Sequence, residues 1–294
     1  MGTTFSVVLF GEQRDQLDEA VNAALAELQR LSDLLSIYRP ESVWSEINRL
    51  AGQGPVEVSP EVFELISECL RYSRQSEGAF DITVGPLMKA WGFFKGSGRL
   101  PSREEVAAAL AKVGYLHLCL DQTSRTVRFD VPGMEINPGG IGKGYAVDRM
   151  VDILRQKGIE RALVMASSCS LYGLVAPPDE PRGWKVDIRH PQRPREHSAT
   201  EVFLQDLSLS SSGGYAQRFV ADGRTFSHIM DPRTGYPAQG MLMVSVTAPR
   251  TIDSEAWTKP FFIHGRSWAA KNKPKRLNAF FCEAGPEQDW GWLS

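Results

Sequence analysis

Cysteine and histidine are scarce in this 294-residue chain, with four of the first and five of the second. The cysteines stand at 69, 119, 169 and 282 without a CxxC spacing or a companion histidine cluster, which argues against a zinc site. Cys69 and Cys119 fall in apolar periodic stretches and are expected as buried free thiols. Charge excess is lacking too: 33 Lys+Arg stand against 35 Asp+Glu, a net −2, and this gives no electrostatic case for nucleic acid as a partner. No run of about 20 apolar residues exists, so no transmembrane segment is expected. The first residues lack a charged stretch followed by an apolar one, and there is no lipobox cysteine. The chain as it stands reads as cytoplasmic, and removal of a leader from a periplasmic or membrane-anchored precursor would leave the same start. Repeats and low-complexity tracts are absent as well.

What is present is ordinary for a folded protein: 42% hydrophobic and 23% charged residues, in a chain long enough for a large core. A first strand is expected over Thr3–Phe10. Leu17, Val21, Leu25, Leu28, Leu31 and Leu35 recur every three to four positions, which predicts a helix over Asp15–Leu35. Ser59-Pro60 opens a second helix that Gly78 closes. Ser102 to Glu105 is a capping box before an Ala-rich helix ending at Gly114. Gly144–Lys157 is a further helix, with Gly158 as its stop. Short β-rich runs lie at 125–130, 161–166, 184–189, 201–209, 215–220 and 241–248. Turn-rich loops are expected over 176–183 and 189–199. Strands and helices alternate without a regular βαβ beat. The expected fold class is therefore α+β, with mixed helices and a mainly antiparallel sheet, in a single compact domain over residues 1–294.

Four segments concentrate chemistry. Asn137-Pro138-Gly139-Gly140-Ile141-Gly142-Lys143-Gly144 runs into a helix, where glycines allow close backbone approach and the helix start favours an anion, with Lys143 as a mobile cation. It matches neither GxGxxG nor a Walker A loop, so a tight structural turn stays open beside a phosphate cradle. Phe226 to Gly235 sets His228 beside an Asp231-Pro232 turn with Arg233 and Thr234. His228 can exchange a proton near neutral pH, and Arg233 can hold a phosphate or the aspartate. Gly78 to Leu87, followed by Trp91-Gly92-Phe93, can line a pocket for a planar ring or form core. Glu255, Thr258 and Lys259 fall within one helical turn; carboxylate and hydroxyl suit Mg²⁺, the lysine opposes it, and a surface charge pair is the alternative.

In this order, the motifs resemble the ApbE family, the FAD:protein FMN transferases. The resemblance runs from Met1-Gly2-Thr3-Thr4 through Ser36-Ile37-Tyr38-Arg39-Pro40 with Ser42, then Gly78–Leu87 and Gly139–Asp148. It continues through Ser212-Gly213-Gly214-Tyr215 and His228–Gly235 to Glu255–Gly265. It implies transfer of FMN from FAD to a threonine of an acceptor flavoprotein as a phosphoester, with release of AMP. It further implies His228 as the catalytic base and FAD contacts at Met1, Tyr38, Ala79, Phe80, Asp81, Asn137, Lys143 and Ile229. The metal positions it implies, for Mg²⁺, are Gly140, Glu255 and Thr258. Hydrolysis of FAD to FMN and AMP is an alternative outcome of the same site, and FAD binding without turnover is another.

The departures from the family pattern are specific. Asn137-Pro138 stands where members usually carry Asp, and Ser167-Ser168 where many have Gly-Gly. Glu255-Ala256-Trp257-Thr258-Lys259 replaces Asp-Ala-x-[Ser/Ala/Asp]-Thr, so an ammonium stands where a ligand oxygen is expected. Lys259 is therefore expected to replace part of the metal's charge. Pro260 is expected to bar an ordinary helix interior at this point.

Overall fold

The computed structural model describes residues 3–193, 196–214, 217–285 and 290–293. It divides into two compact units, each assembled from separated stretches of chain. One, the sheet unit, comprises residues 1–32, 141–213 and 240–294; the other, the helical unit, comprises 33–140 and 214–239. No stretch of sequence between them reads as a linker, because the chain passes from one unit to the other several times.

The sheet unit is built on a seven-stranded sheet in the order Phe5–Phe10, Arg161–Ala166, Ser170–Gly173, Leu207–Gly213, Met241–Ala248, Asn278–Glu283, Trp290–Leu293. Every neighbouring pair is antiparallel. Alternation places Ala162, Val164 and Ala166 in the core, where they meet Val147, Met150, Val151 and Leu154 of the helix Gly142–Gln156 and Ala20 and Ala24 of the helix Arg14–Leu35. A third helix, Thr251–His264, buries nearly all of its length. It runs through Pro260, contrary to the expectation from sequence. The missing proline N–H removes only the bond that the Ala256 carbonyl would accept, and the buried packing of Trp257, Phe261 and Phe262 holds the helix across the gap.

The run 201–209 is not one strand. It splits into Ser198–Leu204 and Leu207–Gly213, because Asp206 adopts a positive φ of 46° and turns the chain. Ser198–Leu204 pairs instead with Trp184–Arg189 as a separate ribbon. Pro194 and Arg195, within the expected loop 189–199, lie outside the described residues.

The helical unit holds the helices Val43–Leu50, Pro60–Gln75, Gly85–Ala90 and Arg103–Leu110. It also holds a three-stranded sheet of Val56–Glu57, Thr126–Phe129 and Leu118–Asp121. Both expected N-caps are made: Ser59 accepts from the Val62 N–H, and Ser102 and Glu105 exchange both bonds of a capping box. Leu87, Trp91, Phe93, Val106, Ala109 and Met230 form a core, against which the hairpin Arg218–Ala221/Arg224–Ser227 lays Phe219 and Phe226. The four cysteines are free; Cys69 is buried as expected, whereas Cys119 is only half-buried and donates to Asp130. Among the described residues no helix is long and apolar enough to cross a membrane.

Candidate active site

The helical unit positions His228 at the end of its hairpin. The His228 backbone N–H donates to the Gln217 carbonyl at 3.1 Å, and ring Nδ1 lies 3.2 Å from the same oxygen. A carbonyl only accepts, so the neutral ring carries its hydrogen on Nδ1, and Nε2 bears the lone pair that can take a proton. Phe93 stands edge-on to the imidazole with centroids 6.4 Å apart.

The turn after His228 is tightly fixed. Arg233 grips the Asp231 carboxylate through Nε at 2.9 Å and Nη2 at 2.8 Å, so of the two roles open to it from sequence it holds the aspartate. The Gly235 N–H closes the turn onto the Asp231 carbonyl at 2.9 Å. Gly235 has φ 79°, and a Cβ there would meet Val106 at 3.0 Å, so only glycine serves both the turn and the packing. Ile229 beside it is buried, with its carbonyl accepting from the Ala238 N–H at 2.8 Å.

The Ser36–Ser42 motif works as a local scaffold. The Ser36 carbonyl accepts from the hydroxyls of Ser42 and Ser45, and Ser42 caps the helix Val43–Leu50 through the Ser45 N–H at 3.0 Å. Tyr38 is thereby held half exposed, stacked on Phe94 at 5.3 Å with an interplanar angle of 22°. Lys89 and Lys95 both reach the Phe94 ring. Nearby, a cavity of about 250 Å³ is lined by Ser45, Asn48, Lys89, Phe94, Glu135 and Asn137. Lys89 and Glu135 pair across its wall at 2.6 Å.

Ala79 and Phe80 are buried, Phe80 edge-on against Tyr72 at 5.6 Å. Asp81 accepts from the Thr83 N–H at 2.8 Å and its hydroxyl at 2.7 Å, and through its other oxygen from the Tyr115 N–H at 2.8 Å. Burial pushes its carboxyl up to about 6 in spite of these bonds. Asn137 bends back to accept from the Gly139 N–H at 2.8 Å, and Gly140 ends the short 3₁₀ turn Pro138–Gly140. Met1 lies outside the described residues, as does Tyr215 of the Ser212–Tyr215 motif.

The sheet unit gathers the other candidates. A Cβ at Gly144 would stand 2.5 Å from the Thr251 carbonyl oxygen, so this glycine lets the helices Gly142–Gln156 and Thr251–His264 touch backbone to backbone. That approach sets Lys143 Nζ 2.6 Å from Glu255 Oε1, while Glu255 Oε2 accepts from the Gly144 N–H. Lys259 Nζ donates to the Glu255 carbonyl at 2.9 Å, and Thr258 Oγ1 donates to the same carbonyl at 2.7 Å while accepting from Ser212. Burial pulls the Glu255 carboxyl upward, but the ammoniums of Lys143 and Lys259 outweigh it and hold the group below the usual carboxylate range. Burial also pushes Lys259 down to about 8, against the pull of Glu255.

These residues do not fit a divalent cation. One carboxylate is engaged by an ammonium and an N–H, the Thr258 hydroxyl is engaged on both sides, and Lys259 adds a second positive charge. Among the described residues no group of three His, Cys, Asp or Glu side chains gathers at one point. Sequence reasoning flagged Lys143 and Glu255 separately. Their pairing was missed because it depends on the close approach at Gly144, which no local signal reports.

A family model described as the ApbE family matches residues 1–281. The chain belongs to the ApbE family. An FAD:protein FMN transferase of Klebsiella pneumoniae (strain 342) is 34% identical over 268 residues, covering 90% of this chain and 82% of the relative. One from Escherichia coli (strain K12) is 29% identical over 271 residues, covering 90% and 76%. Among solved structures, the ApbE protein of Thermotoga maritima has a TM-score of 0.87 at 29% identity, covering 96% of this chain and 91% of that one. The apo flavinyl transferase ApbE of Pseudomonas stutzeri has a TM-score of 0.84 at 29% identity, covering 100% and 91%. The α+β fold and the family expected from the motifs both hold.

Proposed function

We propose that this protein transfers FMN from FAD to a threonine hydroxyl of an acceptor protein. The observation that carries this reading is the family match over residues 1–281, together with relatives named for that reaction over most of their own length. The threonine oxygen attacks the FMN-side phosphorus, and the bond from that phosphorus to the bridging oxygen breaks. AMP leaves, and the new P–O bond keeps FMN on the acceptor.

His228 is the base. Its Nδ1–H is held by the Gln217 carbonyl, which orients Nε2 to accept the hydroxyl proton. In the helical unit, Tyr38 offers a half-exposed aromatic ring, and the backbone around Ala79, Phe80, Asp81, Asn137 and Ile229 shapes the FAD-binding surface. In the sheet unit, Lys143 supplies positive charge for a phosphate.

The test is intact-mass analysis of a threonine-containing acceptor domain incubated with FAD and the protein. An FMN-phosphoryl adduct with one AMP released per adduct supports transfer. His228→Asn lowers the rate by roughly 10²–10⁴ if the imidazole is the base. FMN and AMP formed without adduct would point to hydrolysis instead, and FAD retained unchanged would point to a binding protein.

A further inference from the structure

The hairpin that leads into His228 leaves one strand edge open in the helical unit. Among the described residues its strands, Arg218–Ala221 and Arg224–Ser227, pair with each other and with no third strand. Asp222-Gly223, with φ of 49° and 70°, form the two-residue turn that sets their register. On the inner face Phe219 and Phe226 stack at 5.4 Å, and Phe219 meets Phe93 at 5.8 Å. The ribbon is thus anchored to the core through one face.

Backbone alternation decides which groups point out of the ribbon. The His228 N–H donates to the Gln217 carbonyl, so Gln217–His228, Phe219–Phe226 and Ala221–Arg224 are the hydrogen-bonded pairs of the ladder. The N–H and C=O groups of Arg218 and Val220 on one strand, and of Thr225 and Ser227 on the other, therefore point outward. Ser227 is buried, which closes its edge. Gln217 and Arg218 are exposed and Val220 is 70% exposed, so the edge of Arg218–Ala221 is open to a further strand. Proteins commonly guard such an edge with lysine, proline or a covering segment; this one presents a valine and an arginine.

The open edge also leads to the proposed base. The imidazole of His228 leans toward this strand, with Nδ1 3.2 Å from the Gln217 oxygen. A strand added beside Arg218–Ala221 would lie about 4.8 Å from it and carry one residue past Gln217. Arg218 and Val220 are two positions apart and share the outer face, so the residues opposite them on an added strand share a face too. Among the described residues no carboxylate pairs with Arg218, and charge complementarity calls for an acidic residue opposite it.

We propose that the edge of Arg218–Ala221 docks the acceptor protein by β-strand addition. An extended acceptor segment pairs along it, with an acidic side chain against Arg218 and an apolar one against Val220. Its threonine is thereby brought past Gln217 to His228. That the docked segment is a flavin acceptor rests on the flavin-transfer reading above; the open edge does not.

Two measurements on the full chain test this, with a threonine-containing acceptor domain that a second ApbE-family transferase modifies. The first is residue-resolved amide hydrogen exchange of the wild type. Saturating acceptor slows exchange of the Arg218 and Val220 N–H groups by roughly tenfold or more; unchanged exchange overturns the proposal. The second is steady-state transfer. Val220→Pro removes one outward N–H and leaves the hairpin ladder intact, so the acceptor KM rises by roughly tenfold or more while FAD affinity stays within about twofold. Val220→Thr keeps the N–H and holds the KM within about threefold, and Arg218→Glu raises it by roughly fivefold or more. An unchanged KM in Val220→Pro or in Arg218→Glu overturns the proposal. So does an equal loss of FAD affinity, the mark of a merely structural effect.

A wild type that makes no adduct but shows slowed exchange sinks the flavin-transfer reading and leaves the docking edge standing. An adduct without slowed exchange does the reverse. Melting temperatures accompany each variant; if Val220→Pro does not fold, wild-type exchange and Arg218→Glu decide.

Discussion

The indole N–H of Trp91 donates to the carbonyl of Gly235 at 2.8 Å, tying the turn that follows His228 to the aromatic core of the helical unit. Trp91 is fully buried, with Phe226 at 5.3 Å and Tyr236 edge-on at 5.7 Å. The bond thus links the packing of the unit to the placement of its proposed base. Trp91→Phe keeps most of the ring contact but leaves the Gly235 carbonyl unpaired. The expected destabilisation is about 1–3 kcal/mol. A greater loss in kcat than in flavin affinity should accompany it, measured by denaturant titration and steady-state kinetics of the same variant.

Gly144→Ala addresses the other unit. The new methyl group meets the Thr251 carbonyl oxygen at 2.5 Å and Glu255 Oε2 at 3.0 Å. Backbone cannot move away as a flexible side chain would, so the helices separate at a cost of roughly 1–3 kcal/mol or more. The Lys143–Glu255 pair is strained with them. Urea unfolding should show the loss.

A third expectation concerns pH. Burial raises the Asp81 carboxyl from 3.8 to about 6. The folded protein therefore binds this proton more tightly than the unfolded chain does, so the contribution is fully favourable below about pH 4 and disappears as pH rises through 6. The whole shift corresponds to about 3 kcal/mol. Stability at pH 5 should exceed that at pH 7.5, and Asp81→Asn should flatten the dependence. Unfolding midpoints of both proteins across pH 4.5–8 check it; equal slopes would contradict the assignment.

Much of the local structure was legible because its causes are local. Ser59-Pro60 and the Ser102–Glu105 box announce helix starts through side chains that satisfy nearby N–H groups. The alternation in Arg161–Ala166 and the apolar β-branched run of Met241–Ala248 declare strands directly. The short helices Val43–Leu50 and Gly85–Ala90 carry too few turns to show a period and were not expected. Pro260 misled because the rule it follows is local, whereas the helix containing it is held by buried packing.

Site residues divide along the same line. The motifs around His228 and Lys143 were visible as dense clusters of chemistry-bearing residues, whereas the one around Tyr38 came only with the family resemblance. The grip of Arg233 on Asp231 was one of two roles open from sequence, and only the geometry chose it. Glu255 was legible as a carboxylate but not as the partner of Lys143, since that pairing arises from two helices far apart in the chain.

Flavin transfer to a threonine with His228 as the base is the central claim, and one measurement tests it most directly. The protein is incubated with FAD, MgCl₂ and a threonine-containing acceptor domain whose competence a second ApbE-family transferase has established. Intact mass is then followed with time. The expected result is an FMN-phosphoryl adduct that forms with the wild type and is lost in His228→Asn. FMN and AMP released with no adduct on the acceptor would contradict the account.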